Sequence, residues 1–217
     1  MNIVFDLDGT LIDSAPDIRA IANTLLTDIG KPVLTLDETR AFIGEGAAVL
    51  IQRMMEARSI EVEPDMHRKL LSTFIGRYET TPVESPFYPG VLPLLKQLRA
   101  QKHCLAICTN KPEGPARAVL RQSGLIAMVD AFIAGGMIST RKPDPAMLHH
   151  VIGQLSGTQT LYVGDSETDA ETAIRAGVPF ALFSGGYRKG TTEEIHHEWL
   201  FSHFDELGNI INRILSQ

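Results

Sequence analysis

The sequence is poor in cysteine, and it has no apolar run of the length that a membrane helix needs. Its two cysteines, Cys104 and Cys108, are too few for a disulfide framework. They lie four residues apart in an apolar segment, so a strand there would place both on one face as buried structural thiols. No apolar run approaches the ~20 residues of a membrane-spanning helix. The first basic residue is Arg19, and the acidic Asp6 and Asp8 stand where a signal peptide would be apolar, which predicts a cytoplasmic protein.

The sequence also lacks an excess of positive charge. Lysine and arginine total 20 against 26 aspartate and glutamate residues, which gives a net charge of −6. This balance disfavours nucleic acid and anionic membranes as partners. What is present is ordinary globular composition, with 217 residues of which 44% are hydrophobic and 21% are charged. The length fits one domain, or one domain with a large insertion.

Five short apolar runs end in turn-forming or polar residues, as buried parallel strands do. The segments between them show the apolar stripes of helices. Strands that alternate with helices predict an α/β fold with a parallel sheet. The five runs are Ile3–Phe5, Leu105–Ile107, Phe132–Ala134, Leu161–Val163 and Phe180–Phe183.

The spacing of these runs predicts an inserted helical domain after the first strand. The next apolar strand begins at His103, 95 positions after Asp8, whereas a βαβ unit needs only about 30 residues. A crossover helix at about 91–101 fills part of this interval, and the remainder shows helical stripes only. Thr35 and Glu38 form the capping-box pattern that opens a helix. We therefore predict an α/β core of residues 1–14 and 83–217 and a helical cap of residues 15–82.

Two aspartates directly follow the first predicted strand. Asp6 ends the strand, Asp8 comes two residues later on the same side, and Gly9 permits an unusual backbone turn. Open α/β sheets bind their ligands at the carboxyl ends of the strands. Unpaired charges are costly to bury there, and a metal ion would offset that cost. The alternative is an Asx-turn with a helix cap at Ser14, which leaves the two acids unexplained.

Four segments resemble, in order, the four motifs of the haloacid dehalogenase superfamily in its phosphatase branch. The first runs from Asp6 to Asp13 (DLDGTLID), and the second is Ile107–Lys111 (ICTNK). The third is Arg141–Pro145 (RKPDP), and the fourth is Val163–Asp169 (VGDSETD). The resemblance implies a Rossmann-like core with a parallel sheet and an inserted all-helical C1 cap, which matches the spacing of the strands.

The resemblance also implies a Mg2+-dependent phosphatase that acts on a small phosphorylated metabolite. Asp6 would be the nucleophile that forms an aspartyl-phosphate, and Asp8 would serve as general acid and then as general base. Mg2+ prefers hard oxygen ligands. Asp6, the backbone carbonyl of Asp8 and the carboxylate of Asp165 would supply them.

Motifs two to four imply the phosphate-binding residues. Thr109 and Asn110 would hold phosphoryl oxygens, and Lys142 would add a positive charge to the same group. Asp169 would either reach the metal through water or orient Lys142, and we favour the second role.

The cap is expected to select the substrate. Its segment Phe42–Gly46 resembles the cap loop of the phosphoglycolate phosphatases of this superfamily, so 2-phosphoglycolate is the leading substrate. Gly44, Glu45 and Gly46 would contact it, although a glycine-broken helix junction with a solvated Glu45 explains the same residues. Three basic residues are candidates for anchoring the carboxylate of such a substrate: Arg40, Arg53 and Lys111.

Other activities stay open at this stage. C1 caps also occur on phosphatases for pyrophosphate or sugar phosphates, and a phosphomutase of the β-phosphoglucomutase type would share the four motifs. A silent binding module would be expected to lose one of the motif acids or the lysine, and none is lost. Asp8 disfavours dehalogenation, because a departing halide needs no proton. The segment Ser184–Gly190 either reaches over the site or is a plain turn.

Overall fold

The computed structural model describes residues 1–216, in which strands and helices alternate along most of the chain. The strands are β1 (Asn2–Phe5), β2 (Cys104–Pro112), β3 (Ala131–Gly135), β4 (Thr160–Gly164), β5 (Phe180–Phe183) and β6 (Trp199–Phe201). The α-helices are α1 (Ala15–Asp28), α2 (Leu36–Phe42), α3 (Ala47–Ala57), α4 (Pro64–Thr80), α5 (Val91–Ala100), α6 (Glu113–Gln122), α7 (Ala146–Ile152), α8 (Glu167–Ala176) and α9 (Phe204–Leu215).

The strands form one parallel sheet in the order β3-β2-β1-β4-β5-β6. This arrangement confirms the predicted α/β fold, and all five predicted strands lie in the sheet. The edge strand β6 was not predicted, because a run of three residues carries too little periodicity to be recognised. Trp199 begins that strand, at the far edge of the sheet from β3.

Helices cover both faces of the sheet, as the unbroken apolar strands require. Ile3 and Phe5 of β1 pack on one face with α5 and α9, whereas Val4 packs on the other with α7 and α8. Cys108 is buried on this second face, but Cys104 is only half-buried, so the prediction of two buried thiols is wrong for Cys104. The order of strands places β1 next to both β2 and β4, so the ends of these three strands lie side by side.

The long interval between β1 and β2 is helical, as the spacing predicts. Thr35 and Glu38 form the expected capping box at the start of α2, each side chain bonding the other residue's backbone N–H. Helix α4 packs on α1, α3 and the core helix α6, and it buries Leu70, Phe74 and Tyr78. This helical insertion is the arrangement of a C1 cap. In residues 1–216, no helix combines the length and apolar character needed to cross a membrane.

Candidate active site

The two aspartates of the first motif lie at the carboxyl end of the central strand. The backbone N–H of Asp6 donates to the carbonyl of Val163 in the neighbouring strand β4, 2.8 Å away, which fixes the turn. Gly9 has a φ of +91°, and a Cβ atom there would lie 2.6 Å from Oδ2 of Asp165. A side chain at this position would therefore meet both backbone strain and a steric clash, so the turn requires glycine.

Asp165 follows β4 and is almost completely buried without a cationic partner among the described residues. Its Oδ1 accepts a hydrogen bond from the Thr10 hydroxyl (2.7 Å), and its Oδ2 accepts one from the backbone N–H of Tyr187 (2.6 Å). Burial, with the nearby carboxylates of Asp169 and Asp6, raises the pKa of Asp165 well above its usual range. A cation at this position would stabilise the charged carboxylate.

Lys142 of the third motif joins the acids of the first and fourth motifs. Its Nζ lies 2.6 Å from Oδ1 of Asp6 and 2.7 Å from Oδ1 of Asp169, and its side chain is only 2% exposed. Burial raises the pKa of Asp6 to about 7, against the lowering effect of the Lys142 ammonium. Burial also acts to raise the pKa of Asp169, but Lys142 reverses this effect and leaves that pKa below its usual value.

The carboxylate oxygens of Asp169 are occupied by other protein groups. Oδ1 accepts hydrogen bonds from Lys142 and from the Tyr162 hydroxyl (2.6 Å), and Oδ2 accepts one from the Ser166 hydroxyl (2.6 Å). Tyr162 also contacts Nζ of Lys142 at 3.0 Å. This arrangement favours the predicted role of Asp169 in orienting Lys142, and it leaves little of the carboxylate for a metal ion.

The acidic cluster suits a hard divalent cation. Single carboxylate oxygens of Asp6, Asp165 and Asp169 lie within 4.8 Å of one another, and all three residues are buried. Carboxylate oxygens in such a group are the donors that Mg2+ prefers. Because Asp169 is already engaged, Asp6 and Asp165 are the members of the cluster best placed to hold the ion directly. The side chain of Asp8 lies outside the cluster, which is consistent with a contribution from its backbone carbonyl alone.

Asp8 instead forms an ion pair with Lys111. Nζ of Lys111 lies 3.0 Å from Oδ1 and 3.3 Å from Oδ2 of Asp8, and it donates to the hydroxyl of Tyr78 in the cap helix α4 at 2.8 Å. Burial acts to lower the pKa of Lys111, but Asp8 and Tyr78 reverse this effect and raise it. The sequence reasoning missed this link between core and cap, because no local pattern connects residues 78 and 111.

Thr109 and Asn110 lie in the final part of β2, beside the end of β1. The Asn110 side chain donates to the carbonyls of Gly44 and Lys142 and accepts from the backbone N–H of Lys142 (2.9 Å). It thus joins the second motif to the third motif and to the cap loop. The predicted phosphate contacts of both residues stay predictions.

Some residues of the cap loop line the cavity beside the two aspartates, and others lie at its rim. Gly44 and Gly46 line the cavity beside Asp6 and Asp8, and both have positive φ angles, of 114° and 90°. The side chain of Glu45 is 39% exposed and pairs with Arg53 and with Lys189 of the core. Hydrogen bonds from Arg53 and Lys189 lower the pKa of Glu45. The structure therefore brings the two glycines to the cavity and turns the Glu45 carboxylate towards basic residues at the rim.

A cavity between cap and core, which we call the cap–core cavity, opens beside the two aspartates. The space there that protein atoms do not fill, including the open mouth of the cavity, is about 490 Å3. Apolar side chains form much of its wall, namely Ile18, Ile43, Leu50, Phe74, Pro112 and Pro115. The polar side chains in its wall are those of Asp6, Asp8, Tyr78, Thr109, Asn110 and Lys111. A small anionic molecule could enter here with its phosphate next to Asp6.

Tyr187 is a second residue that the sequence reasoning did not assign to the site. Besides the contact of its backbone with Asp165, its hydroxyl donates to Asp13 and accepts from the backbone N–H of Ala15. A Cβ atom on Gly186 would lie 2.3 Å from Asp165, so the loop packs directly against that carboxylate. Of the two interpretations of Ser184–Gly190, the structure supports the one in which the loop reaches the site.

Comparisons with known proteins agree with this geometry. The haloacid dehalogenase-like hydrolase family matches residues 3–183. A phosphoglycolate phosphatase of Cereibacter sphaeroides is 46% identical, over 99% of this chain and 99% of its own length. One from Rhodospirillum rubrum is 36% identical, over 95% of this chain and 89% of its own length. A crystal structure described as a predicted phosphoglycolate phosphatase, from Haemophilus somnus, superposes with a TM-score of 0.87 at 30% identity and covers 96% of both chains.

Proposed function

This chain belongs to the haloacid dehalogenase-like hydrolase family, and we propose that it is a Mg2+-dependent phosphatase that hydrolyses 2-phosphoglycolate to glycolate and phosphate. The observation that carries the proposal is the position of Asp6. It contacts Lys142, lies beside the buried Asp165 and also lines the cap–core cavity. Full-length relatives named phosphoglycolate phosphatase support the choice of substrate.

In the first step, an oxygen of the Asp6 carboxylate attacks phosphorus as the bond from phosphorus to the ester oxygen breaks. The electron pair of that bond goes to the ester oxygen, which takes a proton from the acid form of Asp8 and leaves as an alcohol, and the carboxylate of Asp8 that remains pairs with Lys111. In the second step, water attacks phosphorus, its proton goes to Asp8, and the bond between phosphorus and Asp6 breaks. Phosphate is released, and both aspartates return to their starting states.

The remaining residues of the site would stabilise the charge of the transferring phosphoryl group. Lys142 and Thr109 would face the phosphoryl oxygens, and Asp169 and Tyr162 would hold the Lys142 ammonium in place. Mg2+ would be held by Asp6, the Asp8 carbonyl and Asp165, and would supply positive charge at the phosphoryl oxygens. Asp165 is oriented for this by Thr10 and by the backbone of Tyr187.

The division of the chain is part of the same proposal. Residues 1–14 and 83–217 would form the catalytic core, and residues 15–82 would form the cap that covers it. Contacts of Asn110 with Gly44 and of Lys111 with Tyr78 would join the cap to the core beside the reacting groups.

Phosphate release from a panel of phosphoesters with Mg2+ tests the proposal. The panel contains 2-phosphoglycolate, pyrophosphate and a hexose phosphate, and kcat/KM is compared for each. We expect a clear preference for 2-phosphoglycolate, with one phosphate released for each molecule consumed. The Asp6→Asn variant is the matched control, because an amide cannot replace the nucleophilic carboxylate. Isomerisation of the hexose phosphate without free phosphate would instead identify a mutase, and a preference for pyrophosphate would replace the substrate.

A further inference from the structure

The proposed mechanism gives Lys111 no contact with the phosphate, yet its side chain is buried beside the reacting groups. It is 4% exposed, and of the lysine and arginine residues in the described part of the chain it alone lines the cap–core cavity. The other buried lysine, Lys142, contacts Asp6 and Asp169 and does not line this cavity. The two lysines therefore serve different parts of the site.

We propose that Lys111 binds the carboxylate of the substrate's leaving group, and this inference rests on the proposed function. Asp8 would protonate the ester oxygen, so the atoms bonded to that oxygen must lie in the cavity next to Asp8. Lys111 is within 3.0 Å of Asp8, on the side that faces the cap. In 2-phosphoglycolate a single methylene group separates the ester oxygen from the carboxylate, so the carboxylate would come to rest near this ammonium group.

One of the hydrogen bonds of Lys111 is long enough to be exchanged for a bond to such a ligand. An ammonium group has three N–H donors. In the described residues Nζ lies within hydrogen-bond distance of three protein oxygens, namely both carboxylate oxygens of Asp8 and the Tyr78 hydroxyl. A carboxylate ligand would take the donor that now points to the more distant oxygen of Asp8, at 3.3 Å. Tyr78 also presents its ring 4.0 Å from Nζ, which holds the ammonium from the cap side.

The other candidate anchors lie elsewhere. Arg40 is at the surface near Asp13 and Asp37, and its side chain is 41% exposed. Arg53 pairs with Glu45 at the rim and also donates to the carbonyl of Phe42. Neither arginine lines the cap–core cavity.

The remaining wall of the cavity favours the same class of leaving group. Much of it is apolar, formed by the side chains of Ile18, Ile43, Leu50, Phe74, Pro112 and Pro115. A sugar would bring several hydroxyl groups into this space, and buried hydroxyls without partners are costly. A short carboxylate such as glycolate needs one cation for its charged group, and its methylene group can pack against the apolar wall.

The test compares 2-phosphoglycolate with its carboxamide, which has the same shape and the same phosphate but a neutral amide in place of the carboxylate. For the unmodified enzyme we expect kcat/KM to favour the carboxylate by about 10- to 100-fold, the range of a hydrogen bond to a charged group. Lys111→Met should reduce this ratio to near one. Lys111→Arg, which keeps the charge, should retain part of it. The matched control is Tyr78→Phe, which removes the neutral hydrogen-bond partner of Nζ and should preserve the preference.

The ratio of the two kcat/KM values distinguishes binding of the carboxylate by Lys111 from a role in which Lys111 only holds Asp8 in place. If Lys111 only held the general acid, Lys111→Met would lower kcat/KM for both substrates equally and leave the ratio unchanged, which would overturn the inference while the proposed function stands. Failure of the unmodified enzyme to hydrolyse either compound, with activity on another phosphoester, would overturn both.

A binding measurement covers the case in which Lys111→Met does not fold. The variant leaves Asp8 without its cation, so the second test removes both charges in Asp8→Asn/Lys111→Met. Calorimetry with Mg2+ compares 3-phosphonopropionate, a non-hydrolysable analogue, with its carboxamide. Asp8→Asn alone should prefer the carboxylate, and the double variant should not. An equal preference in the two variants would contradict the assignment of Lys111.

Discussion

Replacing Lys142 by methionine should destabilise the fold in a way that depends on pH. Lys142 is 2% exposed and contacts both Asp6 and Asp169. Methionine keeps the length of the side chain but removes the charge, so Asp169 loses the cation that lowers its pKa. Removing one partner of a buried ion pair is strongly destabilising, because it leaves an uncompensated charge. The variant therefore has to bind a proton at Asp169 or keep a charge in an apolar interior.

The cost of that proton sets the size of the effect. An aspartate has a usual pKa of 3.8, and each pH unit above the pKa adds about 1.4 kcal/mol to the cost of protonation. In the absence of metal, the loss of unfolding free energy should reach about 4 kcal/mol at pH 7 and about 2 kcal/mol at pH 5. Burial already raises the pKa of Asp6 to about 7, so the loss of Lys142 adds little to the cost of protonating Asp6 at pH 7.

The sign follows from the protons bound by each state. In the folded variant burial raises the pKa of Asp169, so the folded state keeps a proton that the unfolded chain has lost. The stability of the variant should therefore fall as the pH rises above the unfolded value. In the unmodified protein the pKa of Asp169 is lowered instead, which stabilises the fold in the same range. The difference between the two proteins must then widen with rising pH.

Urea unfolding followed by circular dichroism, with chelator present, measures both free energies. Lys96→Met is the matched control, because Lys96 is exposed on α5 and should lose no more than about 0.5 kcal/mol. A loss of less than about 1 kcal/mol at pH 7 would refute the reasoning. An equal loss at pH 5 and pH 7 would also refute it, since protonation of a carboxylate could not then be the cause.

Three further predictions concern the metal, the turn and the cap loop. A chelator should abolish phosphate release in a phosphate assay, and Ca2+ should restore it poorly because of its looser coordination, whereas full activity in chelator would contradict the metal site. Gly9→Ala should destabilise the protein by about 2 kcal/mol or more and lower kcat, because its Cβ would meet Asp165 at 2.6 Å. In the same unfolding assay Gly30→Ala, at φ +67° in open space, should lose only about 1 kcal/mol. Glu45→Gln should change kcat/KM for 2-phosphoglycolate less than about 5-fold, the range of an exposed ion pair, and a 100-fold loss would place Glu45 on the substrate.

The sequence allowed a prediction of the sheet and of the ends of its strands because these depend on local patterns. Short apolar runs bounded by polar residues indicate buried parallel strands, and the carboxyl ends of such strands meet at one edge. This argument was enough to bring Asp6, Thr109 and Asp165 together. It failed for β6, which is too short to show a pattern and lies at the edge of the sheet.

Contacts between side chains of the cap and side chains of the core could not be predicted from such local patterns. Arg40, Arg53 and Lys111 were equal candidates for the carboxylate anchor, because the sequence does not show which of them faces the pocket. Only the packing of α4 on the core places Tyr78 against Lys111, and only the loop after β5 brings Lys189 to Glu45. Such contacts join residues far apart in the chain, and the hydrophobic periodicity of neither segment indicates them.

The charges at the site give an argument for a metal ion that does not depend on the strand pattern or on the motifs. Four carboxylates, those of Asp6, Asp8, Asp165 and Asp169, lie beside two ammonium groups, those of Lys111 and Lys142. With all six groups ionised, four negative and two positive charges leave a net charge of −2. Burial makes such an excess costly, and it raises the pKa values of both Asp165 and Asp6. One divalent cation held by Asp6 and Asp165 would cancel the excess, so the balance of charges supports the proposed Mg2+ site, as does the identity of its oxygen donors.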